Sequence, residues 1–217
     1  IWAWGRNNSG QLGIGSNLAP NDIKLIPTQV GTSTDWVKII AGDAHSLAIK
    51  ANGTLWAWGF NLYGQLGNGL NTDRLIPTQI GTATNWSQIA GGDGHTVALK
   101  SDSTLWTWGD NQYLQLGNGT SGPGTNTNLP ASVDIATHWT KITSGEFHAF
   151  AIKTDGTLWS WGRNEWSQLG IGNNINQNIL VQTGTATNWA QMGGGRQHSV
   201  ALKSDGTLWA FGRNTLG

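Results

Sequence analysis

Residues 41–67 read AGDAHSLAIKANGTLWAWGFNLYGQLG, and this stretch decides the fold because the chain repeats it. Four copies of its Trp-x-Trp-Gly segment begin at Trp2, Trp56, Trp106 and Trp159, and a fifth, with Phe as its second aromatic residue, begins at Trp209. Gln-Leu-Gly, one histidine and one further tryptophan recur in the same order in every unit. A period of about 50 residues predicts an array in which each repeat is one supersecondary unit.

Each unit contains short apolar or alternating runs that are separated by turn residues. In the first full unit we predict strands at residues 36–41, 45–50, 54–58 and 78–80. Asn52-Gly53 supplies the positive φ of a tight hairpin, and Pro77 fits the first residue of the last strand. Nothing in the chain has helical periodicity. Four short antiparallel strands per unit are typical of a β-propeller blade, so the fold class is all-β.

The repeated residues resemble the regulator of chromosome condensation repeat family. The matching pattern is Ala41-Gly42, His45, Asn52-Gly53, then Trp56-Ala57-Trp58-Gly59, Asn61 and Gly64-Gln65-Leu66-Gly67. The resemblance implies a seven-bladed propeller. Members of that family include a guanine-nucleotide exchange factor for the Ran GTPase that also binds chromatin, and a secreted bacterial inhibitor of β-lactamases. This chain has no insertion that would form the exchange factor's β-hairpin wedge, so nucleotide exchange is not favoured.

The copy number predicts one propeller segment rather than a closed ring. The units span about 1–53, 54–103, 104–156 and 157–206, with a partial unit at 207–217. About four blades are therefore expected, as part of a seven-bladed ring. The two ends repeat the same strand, which argues against closure by pairing them. Open blade edges predict a tendency to self-association.

Composition excludes several partners. The chain has 217 residues with 32 Gly, 14 Trp and no Cys. Its 12 Lys and Arg balance 12 Asp and Glu, whereas a general nucleic-acid binder needs a basic footprint. No apolar run reaches the length of a membrane span, so no membrane insertion is expected. The Trp-rich, low-charge texture is similar to bacterial secreted members of the family and suggests the extracellular space or the cell surface of a bacterium.

Comparison of the units with one another predicts which face is functional. We call the face at the end of each unit's first strand the top face. Its loops vary in residue and length between units, notably near 16–22 and 120–128, whereas the opposite face barely varies. Variation on a constant scaffold marks positions that are free to contact a partner. The candidate partner-binding residues are Arg6, Phe60, Tyr63, Asp110, Tyr113, Arg163, Trp166 and Arg196.

Other interpretations of the same residues are less favoured. Tyr63 and Tyr113 are equally consistent with packing on the next blade, whereas Phe60 and Trp166 are better candidates for exposure. One histidine per blade indicates a structural role, each ring bonding a backbone carbonyl, rather than a metal site. The loop acids, such as Asp43, suggest a solvated rim.

The sequence has no catalytic triad, phosphate loop or calcium-binding run, so we expect no enzyme and no cofactor. A protein-binding scaffold is the first functional hypothesis. A carbohydrate-binding module and a structural repeat block of a large surface protein are the alternatives.

Overall fold

The computed structural model describes residues 1–16, 22–122, 124–134 and 138–215. Within these ranges no helix is long and apolar enough to cross a membrane. The regular structure consists of strands β1 (Trp2–Arg6), β2 (Ile23–Gln29), β3 (Trp36–Ala41), β4 (His45–Lys50), β5 (Leu55–Gly59), β6 (Arg74–Gln79), β7 (Trp86–Gly91), β8 (His95–Lys100), β9 (Leu105–Gly109), β10 (Thr127–Asp134), β11 (Trp139–Ser144), β12 (His148–Lys153), β13 (Leu158–Gly162), β14 (Gln177–Gln182), β15 (Trp189–Gly194), β16 (His198–Lys203) and β17 (Leu208–Gly212).

The strands form antiparallel blades, as the repeat pattern predicts. Strands β3–β6 form blade 1, β7–β10 form blade 2 and β11–β14 form blade 3, each as a four-stranded sheet in chain order. A two-stranded sheet, β1–β2, precedes them and a three-stranded sheet, β15–β17, follows. The first strands of successive blades, β3, β7, β11 and β15, contact one another and therefore surround the propeller axis. The prediction of an all-β propeller with about four blades is confirmed.

The outermost strand differs from its prediction. In blade 1 it is Arg74–Gln79 rather than 78–80, so Pro77 lies inside the strand and does not open it. The pairing of β5 with β6 shifts between Ala57 and Gly59. Proline is tolerated at this place because the strand has a free edge and needs no second ladder of hydrogen bonds.

The second tryptophan of each Trp-x-Trp wedges between blades. Trp108 of blade 2 is fully buried, and its Nε1 donates to the carbonyl of Gln65 in blade 1 at 2.9 Å. A Cβ added at Gly67 would lie 2.7 Å from the same Nε1, so only glycine leaves room for the indole. Trp58 and Trp161 repeat this joint. The recurring Gln-Leu-Gly and Trp-x-Trp segments are therefore the two halves of one contact between neighbouring blades.

The first tryptophan of each pair takes part in a cluster on the opposite face. Trp86 meets Trp106 edge to face, with their ring centroids 5.8 Å apart. The ammonium of Lys100 lies over both rings, 4.9 Å from the centroid of Trp86 and 3.8 Å from that of Trp106. The other three units repeat this arrangement. Cation–π attraction thus holds the strand ends together on that face.

Candidate functional site

One asparagine in each unit fixes the long loop of the top face. Asn61 is fully buried, and its Nδ2 donates to the carbonyls of Leu70 and Thr72 while its Oδ1 accepts from the backbone of Leu66. Asn111 and Asn164 hold their loops through equivalent bonds. Internal hydrogen bonds therefore fix the conformation of each loop, and the outward-facing residues can differ between units without changing it.

Phe60 and Tyr63 lie together on the top of blade 1. The backbone of Phe60 donates to the carbonyl of Ala44, and its ring meets that of Tyr63 edge to face with centroids 6.0 Å apart. Both side chains are half-buried. A Cβ added at Gly94 of blade 2 would lie 2.9 Å from the Tyr63 ring. Tyr63 thus packs on the next blade, the structural alternative that the sequence left open, and still presents part of its ring.

Tyr113 also packs on the next blade. Its ring lies 4.7 Å from that of Phe147, and the guanidinium of Arg163 lies over it at 4.6 Å. Arg163 pairs with Glu165 at 2.6 Å. Tyr113 and Arg163, both predicted to bind a partner, are therefore already engaged with each other.

Trp166 retains more surface than the two tyrosines. It is 40% exposed, although the guanidinium of Arg213 covers one face of its ring at 4.5 Å. Arg6 and Arg196 are exposed, as a binding role requires.

Asp110 does not occupy the surface position that the sequence suggested. It is only 5% exposed, and its carboxylate accepts from the Nε2 of Gln115 at 2.7 Å and from the backbone of Gln112 at 3.2 Å. The reason is that the buried Gln115 amide needs an acceptor, which Asp110 supplies. Asp110 is therefore a structural residue and does not belong to the candidate site.

The adjacent units lack this acceptor. Phe60 and Arg163 stand where Asp110 stands in blade 2. The Nε2 atoms of Gln65 and Gln168, both fully buried, have no hydrogen-bond partner among the described residues. An unpaired buried donor costs about 1–3 kcal/mol. Folding alone would therefore favour an acceptor at the positions of Phe60 and Arg163.

The loop acids that the sequence suggested as a solvated rim lie on turns around the axis that contact one another. The Asp93 backbone donates to the carbonyl of Glu146, so equivalent turns touch from blade to blade. Burial raises the pKa of Asp93, and the neighbouring carboxylates of Asp43, Glu146 and Asp110 raise it further. Arg196 is bound to Glu146 at 2.9 Å. The rim around the axis is therefore acidic at blades 1 and 2.

Two residues of the top face escaped the sequence prediction. Leu62 is 57% exposed and Leu70 is 47% exposed. The side chain of Asn71 donates to the carbonyl of Leu62, which fixes that part of the loop. Comparison of the units does contain the signal, because the other units have polar residues at both places: Asn8, Gln112 and Glu165 for Leu62, and Ser16, Thr120 and Asn173 for Leu70.

Three of the four recurring histidines, His45, His95 and His148, are structural. Burial lowers the pKa of His45 and His148 to about 4 and that of His95 to about 3, so the rings are neutral. Their Nε2 atoms face hydroxyl groups of the next blade, as between His45 and Thr96 at 3.2 Å. The partner is thus a side-chain hydroxyl and not the backbone carbonyl that we expected.

The hydroxyl that faces His95 comes from a different position. In blade 3 the residue after the histidine is Ala149, where the other units have serine or threonine. The hydroxyl of Ser144 therefore meets the His95 ring instead, at 2.9 Å.

No group of three or more metal-ligating side chains occurs in the described part of the chain.

The whole chain matches one family. The family model described as RCC1-like domain covers residues 1–217. The chain belongs to the RCC1-like domain family. The ultraviolet-B receptor UVR8 of Arabidopsis thaliana is 32% identical over 181 residues, which are 81% of this chain and 40% of the receptor.

Solved structures of other proteins have the same fold as this RCC1-like domain. Yeast RCC1 (Prp20), in its crystal structure with Kap60, matches with a TM-score of 0.84 and 26% identity over 99% of this chain and 52% of the yeast chain. Human WBSCR16 matches with a TM-score of 0.82 and 24% identity, over 96% of this chain and 56% of its own. The chain thus spans about half the length of these relatives.

Proposed function

We propose that this RCC1-like domain is a protein-binding module without catalytic activity, and that it contacts its partner through the top of blade 1. The contact surface is an apolar patch, hereafter the blade 1 patch, that consists of Phe60, Leu62, Tyr63 and Leu70. Exposed aromatic and apolar groups on a rigid scaffold are typical anchors of protein interfaces.

The observation that carries this proposal is the difference between the units. Phe60, Leu62 and Leu70 stand where every other full unit has a charged or polar residue. Each loop is held by one buried asparagine, whose Oδ1 accepts from the backbone of the leucine in Gln-Leu-Gly. Folding alone therefore does not require apolar groups at these places.

The energetics of Gln65 support the same conclusion. With an acceptor at position 60, as Asp110 provides in blade 2, the buried Gln65 amide would be satisfied. Phe60 leaves it without a partner, at a cost of about 1–3 kcal/mol. A residue that lowers stability while it exposes an aromatic ring fits a binding role.

Site-specific photo-crosslinking tests the proposal. Benzoylphenylalanine placed at Leu62 is expected to capture one defined protein from extracts and culture medium of the source cells. The matched control carries it at Gln112, the equivalent exposed position of blade 2. Equal capture from both positions, or capture from neither, would contradict the assignment.

A Phe60→Asn variant separates binding from folding. The new amide oxygen offers Gln65 an acceptor, which offsets the lost ring contact with Tyr63, so the free energy of unfolding should change by less than about 1 kcal/mol. In this variant, crosslinking of the partner protein to benzoylphenylalanine at the Leu62 position should be lost. Full capture by this variant would remove Phe60 from the proposed surface.

Carbohydrate binding is a second candidate because of one neutral groove. The groove has a volume of about 450 Å³ and is lined by Tyr63, by Asn71 and by residues 126–131 of blade 2. The side chains of Asn71 and Asn128 bond to each other at 2.9 Å across it. An aromatic wall with amide groups suits a neutral sugar. Binding on a glycan array that a Tyr63→Ala variant abolishes would support this candidate, and an empty array would dismiss it.

A further inference from the structure

We infer that the outermost strand of blade 3, β14, is a self-association edge to which a second copy of this chain adds its own β14. The strand contains no residue of the blade 1 patch, so this contact and the proposed function can be tested separately. The outermost strands of the other units have proline and charge that protect a sheet edge from pairing. β14 has neither.

Proline protects the equivalent place in the other units. Pro27, Pro77 and Pro130 lie in β2, β6 and β10 at the position where β14 has Leu180. Proline on an edge strand removes an N–H that another chain could use. Three prolines at one position also indicate that the blade needs no hydrogen bond from it. The N–H of Leu180 is therefore not required inside blade 3.

Charge also protects the other edges and is absent from β14. Lys24 in β2 and Arg74 in β6 stand where β14 has Gln177, since all three lie opposite the glycine of Trp-x-Trp-Gly. Strand β10 ends at Asp134. The sequence has no charged residue between Trp166 and Gly195. A short strand with Ile, Leu and Val at its centre and without proline or charge is typical of strands that pair with copies of themselves.

Blade 2 covers only the first half of this edge. Gly119 donates its N–H to the carbonyl of Asn178, and Asn118 forms an isolated bridge with Ile179. Beyond Ile179, no residue of another blade pairs with the backbone of β14 in the described part of the chain. The second half of the strand is therefore open to another chain.

The open half offers backbone groups at alternate residues. Thr183 donates its N–H to the carbonyl of Leu158 in β13, and Gln182 lies opposite Trp159 in the next pair. Because hydrogen-bonded and non-bonded pairs alternate in an antiparallel ladder, the N–H and C=O of Gln182 point away from β13. Together with Leu180 at the proline position, Gln182 forms a short row of donors and acceptors for a further strand.

A second copy of β14 fits this edge. In an antiparallel pair centred on Val181, Leu180 of each copy lies opposite Gln182 of the other, and each such pair exchanges two backbone hydrogen bonds. No charge opposes the contact, and Ile179 and Ile175, 54% and 66% exposed, flank it with apolar surface. The other side of β14 is bound to β13, so the pairing closes at two copies.

Crosslinking between single cysteines tests the pairing on the intact chain, which has no cysteine of its own. Gln182→Cys places one thiol on the open edge, and a short bismaleimide should join two copies through it. The matched control is Gln79→Cys in β6. Gln79 is exposed and lies opposite Trp56 as Gln182 lies opposite Trp159. Pro77 protects that edge, so the control should crosslink little.

Leu180→Pro removes the open edge with little effect on the blade, because three other units have proline there. Circular dichroism and the urea midpoint should change little. Sedimentation equilibrium over a series of concentrations should show dimerisation that is at least about ten-fold weaker, and crosslinking of the Gln182→Cys chain should fall with it. Gln182→Lys is a second variant, which keeps Leu180 and should weaken the dimer most at low ionic strength.

Leu208→Ser distinguishes β14 from the open end of the propeller. Leu208 is 72% exposed on β17, and its replacement should leave dimerisation unchanged. Dimerisation that Leu208→Ser abolishes, or that Leu180→Pro leaves intact, would overturn the inference. Equal crosslinking from Gln182→Cys and Gln79→Cys, or a chain that stays monomeric at every concentration, would overturn it as well.

Discussion

Replacement of Gly67 by alanine tests the joint between blades 1 and 2. The residue has a φ of 75°, and its Cβ would lie 2.7 Å from the Nε1 and 3.0 Å from two ring carbons of the buried Trp108. Gly81 is the matched control, because its φ is 60° and a Cβ there would have no neighbour within 4 Å. Both changes impose the same backbone strain, and only the first forces the indole to move.

The magnitude follows from three contributions. A non-glycine residue in the left-handed region costs about 1–2 kcal/mol, which both variants share. Overpacking against a buried ring costs about 1–3 kcal/mol, and loss of the bond from Trp108 to the Gln65 carbonyl costs about 1 kcal/mol. We therefore expect Gly67→Ala to lower the free energy of unfolding by about 3–6 kcal/mol and Gly81→Ala by about 1–2 kcal/mol.

Urea unfolding measures the difference. Tryptophan fluorescence and far-ultraviolet circular dichroism should be followed together, because a repeat protein can lose blades one at a time and only coincident transitions justify a single free energy. In thermal unfolding the two variants should differ by about 5–15 °C. If they differ by less than about 0.5 kcal/mol, the indole moves without cost and the explanation of the Gln-Leu-Gly glycine is refuted.

Three further predictions concern the scaffold. Burial holds the folded-state pKa of His45, His95 and His148 below the unfolded value of about 6.5, so the unfolded chain gains protons first as the pH falls. The contribution of these histidines to stability is complete above about pH 6.5 and decreases as the pH falls toward their folded pKa values. At pH 5 the free energy of unfolding should be lower by about 2 kcal/mol per histidine. Equal urea midpoints at pH 7.5 and pH 5 would contradict this. Ser103 has a φ of 64°, so Ser103→Gly should stabilise the chain by about 1 kcal/mol, and a lower melting temperature would show that its side chain compensates for the strain. Ser144→Ala removes the hydroxyl partner of His95 and should cost about 1–2 kcal/mol in urea unfolding; a neutral result would mean that another group bonds the ring.

The blade architecture was predictable because its determinants are local and repeated. Asn52-Gly53 marks a hairpin, and the structure pairs its two strands with Ile49 opposite Leu55. The Pro77 strand was misplaced because proline signals an edge but not how far the strand extends on either side. The number of blades followed from counting markers, which needs no three-dimensional information.

The candidate site was less predictable because exposure depends on contacts between blades. Asp110 and Phe60 occupy equivalent positions in the sequence, yet one is buried by its bond to Gln115 and the other reaches the surface. Leu62 differs from the polar residues at the equivalent positions of the other units, but only the folded chain shows that its side chain is exposed.

The sequence by itself determined the repeat, the strands and the family, since each of these rests on residue type and spacing within a unit. The tertiary structure alone decided which loop residues are exposed to a partner and which are already bonded to other residues of the chain. It joins Gln-Leu-Gly of one blade to the tryptophan of the next and places Arg163 over Tyr113. The physical reason is that these contacts join residues about 50 positions apart, and their geometry exists only when one blade packs on another.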